Sequence, residues 1–106
     1  MIRHVVLFRW RAGFDPTEWL DRVRALPALV PQLRSLSAGP DVLGADRSWD
    51  AAVVADFDGL DDVAAYTDHP AHRPLIAISG AGAEQIVSVD FEVPDEGPAP
   101  RRDVHE

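Results

Sequence analysis

The segment Tyr66-Thr67-Asp68-His69-Pro70-Ala71-His72 concentrates groups that can move or donate a proton near neutral pH. It holds the only tyrosine and two of the four histidines of the chain, around one proline. A neutral histidine can act as a general base, and a tyrosine hydroxyl can donate a hydrogen bond to an oxygen that becomes negative. These residue types therefore point to removal of a proton next to a carbonyl group, with stabilisation of the enolate that results.

The proline in this segment decides where the two side chains point. Pro70 breaks the helix that contains Tyr66, because the residue before a proline disfavours the helical backbone region. His72 then falls in the first turn of a further helix, on the same inward face as Leu75 and Ile76. The positive end of that helix dipole disfavours a protonated imidazole, which predicts a neutral His72. The break therefore lets Tyr66 and His72 converge on one pocket.

Two further residues bear on this pocket. Pro74 denies the first helical turn one backbone hydrogen bond and biases the residue before it away from helix, so it can change the orientation of His72. His4 lies on the apolar face of a predicted first strand, where it can orient a substrate or pair with His72. A histidine satisfied within the core is the alternative for His4. Likewise, a His72 bonded to a backbone carbonyl, with Tyr66 as a core side chain, is the structural alternative to a ligand pocket.

His69 precedes Pro70 and is expected to cap the helix before it. His69 and His72 have a spacing that a metal site could use, with His4 or Asp68 as a third ligand. No metal is predicted, because a proline follows the first histidine and no clear third ligand is near it in sequence. The chain also has no serine elbow between glycines and no phosphate-binding loop after a strand, and no cofactor is predicted.

The composition excludes several other kinds of chemistry. The chain has no cysteine, and all ten basic residues are arginines. Disulfides, thiolate nucleophiles, cysteine metal sites and lysine Schiff bases are therefore excluded. A net charge of −8 repels phosphate backbones, so nucleic acid is not an expected partner. No apolar run reaches the roughly 20 residues of a membrane helix and the start lacks signal-peptide features, which predicts a cytoplasmic protein with no membrane partner.

Hydrophobic periodicity predicts four strands and two helical regions. The strands are predicted at residues 2–11, 34–40, 50–57 and 86–93. The helices are predicted at residues 16–26 and 58–68, each with a further helical piece after a proline, the second running to about residue 83. Asp15 and Asp58 are the predicted caps. Leu60, Val63 and Ala64 are expected on the inner face of the second helix.

The order β-α-β-β-α-β predicts an α+β, ferredoxin-like fold with one antiparallel sheet and helices on one of its faces. The other face needs a cover, and a chain of 106 residues has no element left to supply it. Two such sheets packed face to face would solve this, which predicts a homodimer. The folded domain is expected to span residues 1–93. Residues 94–106, which are acidic and rich in proline, are expected to form a disordered tail.

Six pieces of the chain, in order and spacing, are typical of one family. They are Met1-Ile2-Arg3-His4-Val5-Val6-Leu7-Phe8, Leu26-Pro27-Ala28-Leu29-Val30-Pro31, Gly39-Pro40-Asp41, Asp50-Ala51-Ala52-Val53-Val54-Ala55-Asp56-Phe57, the segment from Tyr66 to His72, and Val89-Asp90-Phe91-Glu92. With them the chain resembles the stress-responsive A/B barrel (Dabb) family of dimeric α+β barrels, from residue 1 to about residue 93.

The resemblance also implies a function. The best-defined activity of the family is a cofactor-free polyketide cyclase of the olivetolic acid cyclase type, which closes a linear poly-β-ketone by aldol condensation. Tyr66, His72 and His4 match the tyrosine and histidine of that enzyme's Tyr-x-x-His-Pro-x-His segment and the histidine of its first strand. The resemblance thus implies His72 as general base, Tyr66 as hydrogen-bond donor and His4 as a third site residue, in a pocket for a small apolar ligand with carbonyl groups. Many family members have no assigned reaction, and a non-catalytic stress-related dimer or small-molecule carrier is the alternative.

Overall fold

The structure, a computed structural model, describes residues 1–94. In chain order its elements are β1 Ile2–Trp10, α1 Thr17–Arg24, a 3-10 turn Leu26–Ala28, β2 Ser35–Pro40, β3 Ala51–Phe57, α2 Leu60–Thr67, α3 Arg73–Gly82 and β4 Ala83–Glu92. The strands form one antiparallel sheet in the order β2-β3-β1-β4. The predicted α+β, ferredoxin-like fold is confirmed. The predicted tail, residues 94–106, lies outside the described residues from residue 95 onward.

β1 lies in the middle of the sheet and pairs with both β3 and β4. Its even-numbered residues, which form the apolar face on which the sequence places His4, face the helices, and Phe8 among them is only 5% exposed. The register sets His4 opposite Ala55 of β3 and Asp90 of β4, so all three lie on the helix side of the sheet. This pairing places two residues from the ends of the described chain next to each other.

α1 is fixed at its start and along its inner face. The carboxylate of Asp15 accepts hydrogen bonds from the backbone N–H and the hydroxyl of Thr17, at 3.0 and 2.7 Å. The inner face packs on the sheet through Trp19, whose indole N–H donates to the carbonyl of Leu75 at 3.0 Å. This bond ties α1 to α3 across the same face of the sheet.

Two predictions about α2 are wrong. Asp58 does not cap the helix, because a glycine takes the cap position and the Asp58 carboxylate forms an ion pair with Arg34 at 3.0 Å. Leu60 is 67% exposed, and Ala64 is exposed as well. The helix has only eight residues, and its buried face is a narrow stripe that ends at Tyr66.

α3 passes directly into β4, which begins three residues earlier than predicted. The early start follows from pairing, because Ala83 already lies opposite Trp10 of β1. Gly82, the last residue of α3, lies against the ring of Phe14, and a Cβ added there would come within 2.5 Å of that ring. A glycine is therefore needed where the loop after β1 crosses the junction of α3 and β4.

The face of the sheet opposite the helices has no cover among residues 1–94. Leu7, Val87, Val89 and Phe91 are exposed there by 36%, 38%, 56% and 45% respectively. The register aligns these residues on neighbouring strands, so they form one apolar surface. We call this surface the open sheet face.

An ion pair borders the open sheet face at one end. The guanidinium of Arg3 donates two hydrogen bonds to the carboxylate of Asp56, at 2.8 and 3.0 Å, and the hydroxyl of Ser35 donates a third at 3.2 Å. The bond from Arg3 is the main reason that the pKa of Asp56 lies below its ordinary value. Asp56 is thus a buried but paired carboxylate at the border of the open sheet face.

Candidate functional site

A cavity of about 290 Å³ lies between the helix side of the sheet and the helices. Its wall is mainly apolar and is formed by Val6, Phe8, Trp19, Val23, Val53, Leu75, Ile76 and Ile86. Its polar side chains are those of His4, Tyr66, Thr67, His72, Ser79 and Ser88. Small-molecule sites are typically apolar cavities with a few placed polar groups. All three residues singled out from the sequence, His4, Tyr66 and His72, line this one cavity.

Tyr66 and His72 lie side by side in the cavity. Their rings stack with centroids 4.0 Å apart and an angle of 23° between the planes. The helical structure is interrupted around Pro70, between α2 and α3. There the backbone N–H groups of His72 and Arg73 donate to the carbonyl of His69 at 2.9 and 3.0 Å. This hydrogen-bonded turn holds the two rings together, which one continuous helix could not do for residues six apart.

A hydrogen bond determines which nitrogen of His72 carries the proton. Its Nδ1 lies 3.1 Å from the carbonyl oxygen of Tyr66. Because a carbonyl can only accept, Nδ1–H donates, and Nε2 of the neutral ring keeps its lone pair. Burial lowers the pKa of His72, and it outweighs hydrogen bonds to the carbonyls of Thr67 and Tyr66, which favour the charged ring. His72 is therefore neutral at pH 7 and has one unprotonated nitrogen.

Tyr66 presents a protonated hydroxyl. The residue is 3% exposed, and burial raises its pKa to about 12. Within residues 1–94 the hydroxyl makes no hydrogen bond. Two other polar side-chain atoms, Nε1 of Trp10 and Oε1 of Gln32, also lack a partner and are fully buried, whereas the Tyr66 hydroxyl is not fully buried. It is available as a donor to a molecule in the cavity.

His4 reaches the cavity from β1. Its ring meets the rings of Phe57 and Tyr66 edge-on, with centroids 6.4 and 6.3 Å apart. Its Nδ1 pairs with the carboxylate of Asp90 on β4. His4 is thus neither alone on an apolar face nor bonded to His72, because an acid on the neighbouring strand holds it.

Sequence reasoning does not find Asp90 as a site residue. In the last predicted strand, Val87, Val89 and Phe91 alternate with polar residues, and this pattern marks Asp90 only as a polar side chain opposite an apolar face. The signal that could have found it is the strand register, because pairing β1 antiparallel to β4 sets His4 opposite Asp90. That register cannot be obtained from the local pattern of either strand.

His69 has a different place from the one predicted. Its Nδ1 accepts a hydrogen bond from the backbone N–H of Ala71 at 3.0 Å, so it caps the turn before α3 and not the end of α2. It does not line the cavity. In the part of the chain that the structure describes, no three histidine or carboxylate residues come together in a way that could hold a metal ion. In that same part, none of the helices has the length and apolar character needed to cross a membrane.

Pro74 does not disturb the start of α3. It is the second residue of the helix, where backbone N–H groups have no acceptor within the helix in any case. Arg73 is helical, which corrects the expectation that Pro74 would bias it away from helix. The turn that positions His72 is therefore compatible with this proline.

The fold and the cavity define a ferredoxin-like α+β protein with a histidine–tyrosine site between sheet and helices. A family model described as the Stress responsive A/B Barrel Domain (Dabb) matches residues 2–93. The chain belongs to this family, as its motifs predict. An uncharacterised protein of Streptomyces coelicolor is 28% identical over 97 residues, which are 87% of this chain and 99% of that protein.

Solved structures share this architecture. A dimeric ferredoxin-like protein of unknown function from Thermobifida fusca is 39% identical, with a TM-score of 0.79 over 87% of this chain and 90% of that one. A dimeric protein of ferredoxin-like fold from Bacteroides fragilis is 29% identical, with a TM-score of 0.76 over 87% and 95%. A hydroxynitrile lyase from Passiflora edulis is 18% identical, with a TM-score of 0.77 over 92% and 96%. At that identity, the likeness to the lyase concerns the fold alone.

Proposed function

We propose that this protein is a cofactor-free enzyme of the polyketide cyclase or isomerase type, acting on a small apolar molecule with carbonyl groups. One observation carries the proposal: a neutral His72 and a protonated Tyr66 are stacked 4.0 Å apart at a mainly apolar cavity. Enolisation needs a base in its unprotonated form and a hydrogen-bond donor at the carbonyl oxygen. This pair supplies both.

In the proposed reaction, Nε2 of His72 takes a proton from the carbon next to a carbonyl group. The electrons of the broken C–H bond form a C=C bond, and the carbonyl electrons move to the oxygen, which accepts a hydrogen bond from the Tyr66 hydroxyl. The protonated His72 then returns a proton, either to the same carbon or to a different carbon of a conjugated enolate. Alternatively, the enolate carbon attacks a second carbonyl of the same molecule and closes a ring, while the first carbonyl re-forms. In the second case His72 returns its proton to the new alkoxide.

His4 serves as the positioning residue of this proposal. Its bond to the Asp90 carboxylate fixes the ring, because the carboxylate accepts and Nδ1–H must donate. The remaining nitrogen of His4 can then orient a polar group of the ligand near Tyr66. Asp90 would act only through His4.

We also propose that the protein is a homodimer that joins two open sheet faces. The relatives from Thermobifida fusca and Bacteroides fragilis are dimeric, at 39% and 29% identity. The exposed apolar side chains of β1 and β4 support the same arrangement, because a surface of this kind is unfavourable in water. A two-fold axis would make each sheet the cover of the other.

The alternative is a stress-related dimer or carrier that binds a small molecule without turnover. In that case Tyr66 and His72 only shape the cavity. The Passiflora edulis protein adds a substrate for the test, since breakdown of a cyanohydrin would also begin with transfer of a proton to a base. The chemistry of His72 therefore has to be measured on more than one class of compound.

The decisive experiment follows exchange of hydrogen for deuterium next to the carbonyl of acetophenone, by NMR in D2O. A linear triketone and a cyanohydrin are tested for conversion in parallel. His72→Asn keeps an amide N–H that can donate to the Tyr66 carbonyl but removes the base, and it should lower the exchange rate by about 10²–10⁴-fold. Tyr66→Phe keeps the stacked ring and should lower the rate by roughly 10²–10³-fold.

His69→Asn is the matched control, because an asparagine oxygen can still accept from Ala71 and residue 69 lies outside the cavity. It should leave the rate unchanged. If the wild-type protein accelerates none of these reactions, or if His72→Asn is as active as wild type, the enzymatic proposal is wrong. Binding of acetophenone without exchange would then favour the carrier.

A further inference from the structure

The cavity carries no permanent charge on its wall. Among the described residues that line it there is no arginine, and the whole chain has no lysine. A carboxylate, that of Asp90, is paired with His4, which lines the cavity. The polar groups of the cavity are hydroxyls and imidazoles. The wall can therefore form hydrogen bonds with a ligand, but it offers no opposite charge to a charged ligand.

We infer that this cavity selects an electrically neutral ligand of about the size of a single-ring aromatic ketone over a carboxylate or an ammonium ion of the same size. The inference rests on the proposed small-molecule site and deepens it by naming the charge and the size of the ligand.

The volume is sufficient for a ligand of this size. The cavity is partly open to solvent and measures about 290 Å³, which is room for about ten water-sized groups at roughly 30 Å³ each. A phenyl ketone such as acetophenone fits this volume, with its ring against Phe8 and Trp19 and its oxygen toward Tyr66. A substrate attached to a nucleotide-sized carrier would have to leave the carrier outside the cavity.

The wall determines the charge. A carboxylate that enters an apolar site loses its hydration and needs a cationic or several hydrogen-bonding partners in return. Here the hydroxyls and imidazoles of the wall are hydrogen-bonding partners, but none of them is a full cation, and a carboxylate would be repelled by the carboxylate of Asp90 and by a net charge of −8. An ammonium group is also disfavoured, since burial in this cavity already disfavours the charged form of His72. The carboxylate of Asp90, which could attract an ammonium group, is already engaged by His4.

Three ligands of nearly equal size and shape test the inference. Acetophenone is neutral, benzoate is an anion and 1-phenylethylammonium is a cation at pH 8. Their affinities for the full chain are measured by isothermal titration calorimetry, or by NMR titration if they are weak. Acetophenone is expected to bind at least tenfold more tightly than either ion. Equal or tighter binding of benzoate or of the ammonium ion would overturn the inference, and so would the failure of all three to bind.

A substitution can reverse the selectivity. Ser88 lies on the helix side of β4 and lines the cavity, and it is exposed enough to accept a long side chain. Ser88→Arg adds the missing cation and should raise the affinity for benzoate at least tenfold relative to acetophenone. Ser88→Gln, which is long but neutral, should leave the ratio of the two affinities unchanged. An unchanged ratio in Ser88→Arg would contradict the electrostatic reason for the selectivity.

These measurements separate the inference from the proposed reaction. If acetophenone binds selectively and no hydrogen exchange occurs, the enzymatic proposal fails and the inference holds. If exchange occurs and benzoate competes for the site as well as acetophenone does, the reverse is true.

Discussion

Val89 gives a direct test of the proposed dimer. Fully burying a valine side chain contributes about 1.5–3 kcal/mol. Val89 is 56% exposed, so covering the rest would contribute roughly 1 kcal/mol in each copy and about 2 kcal/mol in a two-fold dimer. Val89→Asp removes this contribution and also places two unpaired carboxylates between apolar surfaces, which costs several kcal/mol more. We expect the dissociation constant of the dimer to rise at least a thousandfold, which corresponds to about 4 kcal/mol.

Sedimentation velocity at micromolar concentration measures this effect. Wild type should sediment as a dimer and Val89→Asp as a folded monomer, because the position is already exposed in the single chain. The control is Leu60→Asp, which puts an acid at an exposed position of the helix layer, in the first turn of α2, where negative charge is favoured. It should remain dimeric. A monomeric wild type, or a Val89→Asp dimer as stable as wild type, would refute the open sheet face as the interface.

Three further predictions concern the stability of the fold, each measured by urea unfolding. Gly82→Ala should lower the free energy of unfolding by about 1–3 kcal/mol, because its Cβ would meet the ring of Phe14 at 2.5 Å. Gly80→Ala, with nothing within 4 Å, should raise it by about 0.5–1 kcal/mol, and the opposite order would contradict the packing described for α3. Burial lowers the pKa of His72, so the unfolded chain binds the proton at a higher pH than the folded chain does, and the free energy of unfolding should fall as the pH drops below 6.5. If His72→Asn does not flatten this dependence of stability on pH, His72 is not its cause. Asp56→Asn should lower stability by roughly 1–2 kcal/mol, a value kept small because its arginine partner is partly in solvent, and a neutral effect would show that the ion pair contributes nothing.

The sequence predicts the parts of this protein that local patterns determine. The alternation of the last strand separates Val87, Val89 and Phe91 from its polar face, and the structure keeps that separation. Pro70 predicts the break that brings Tyr66 and His72 to one cavity. In both cases the feature depends on residues that are close together in the sequence, so the local pattern is enough to predict it.

Features that depend on distant partners could not be predicted in this way. The bond between His4 and Asp90 needs the register of two strands that are far apart in sequence. Asp58 has the side chain of a cap, but Arg34 in another part of the chain engages it. Similarly, the first residue of β4 is set by its pairing with β1, and the glycines before it give no sign of that pairing.

The central place of β1 in the sheet has a consequence for folding. β1 is made first and β4 last among the described strands, and His4 and Asp90 are 86 residues apart. Contacts of such long sequence separation slow folding, and a strand that lacks its neighbour exposes an edge in the meantime. During synthesis β1 therefore remains without one of its two neighbouring strands until β4 has been made. The cavity that both strands line is among the last parts of the molecule to be assembled. A nascent chain that ends before β4 is expected to depend on chaperones and to be unable to hold a ligand.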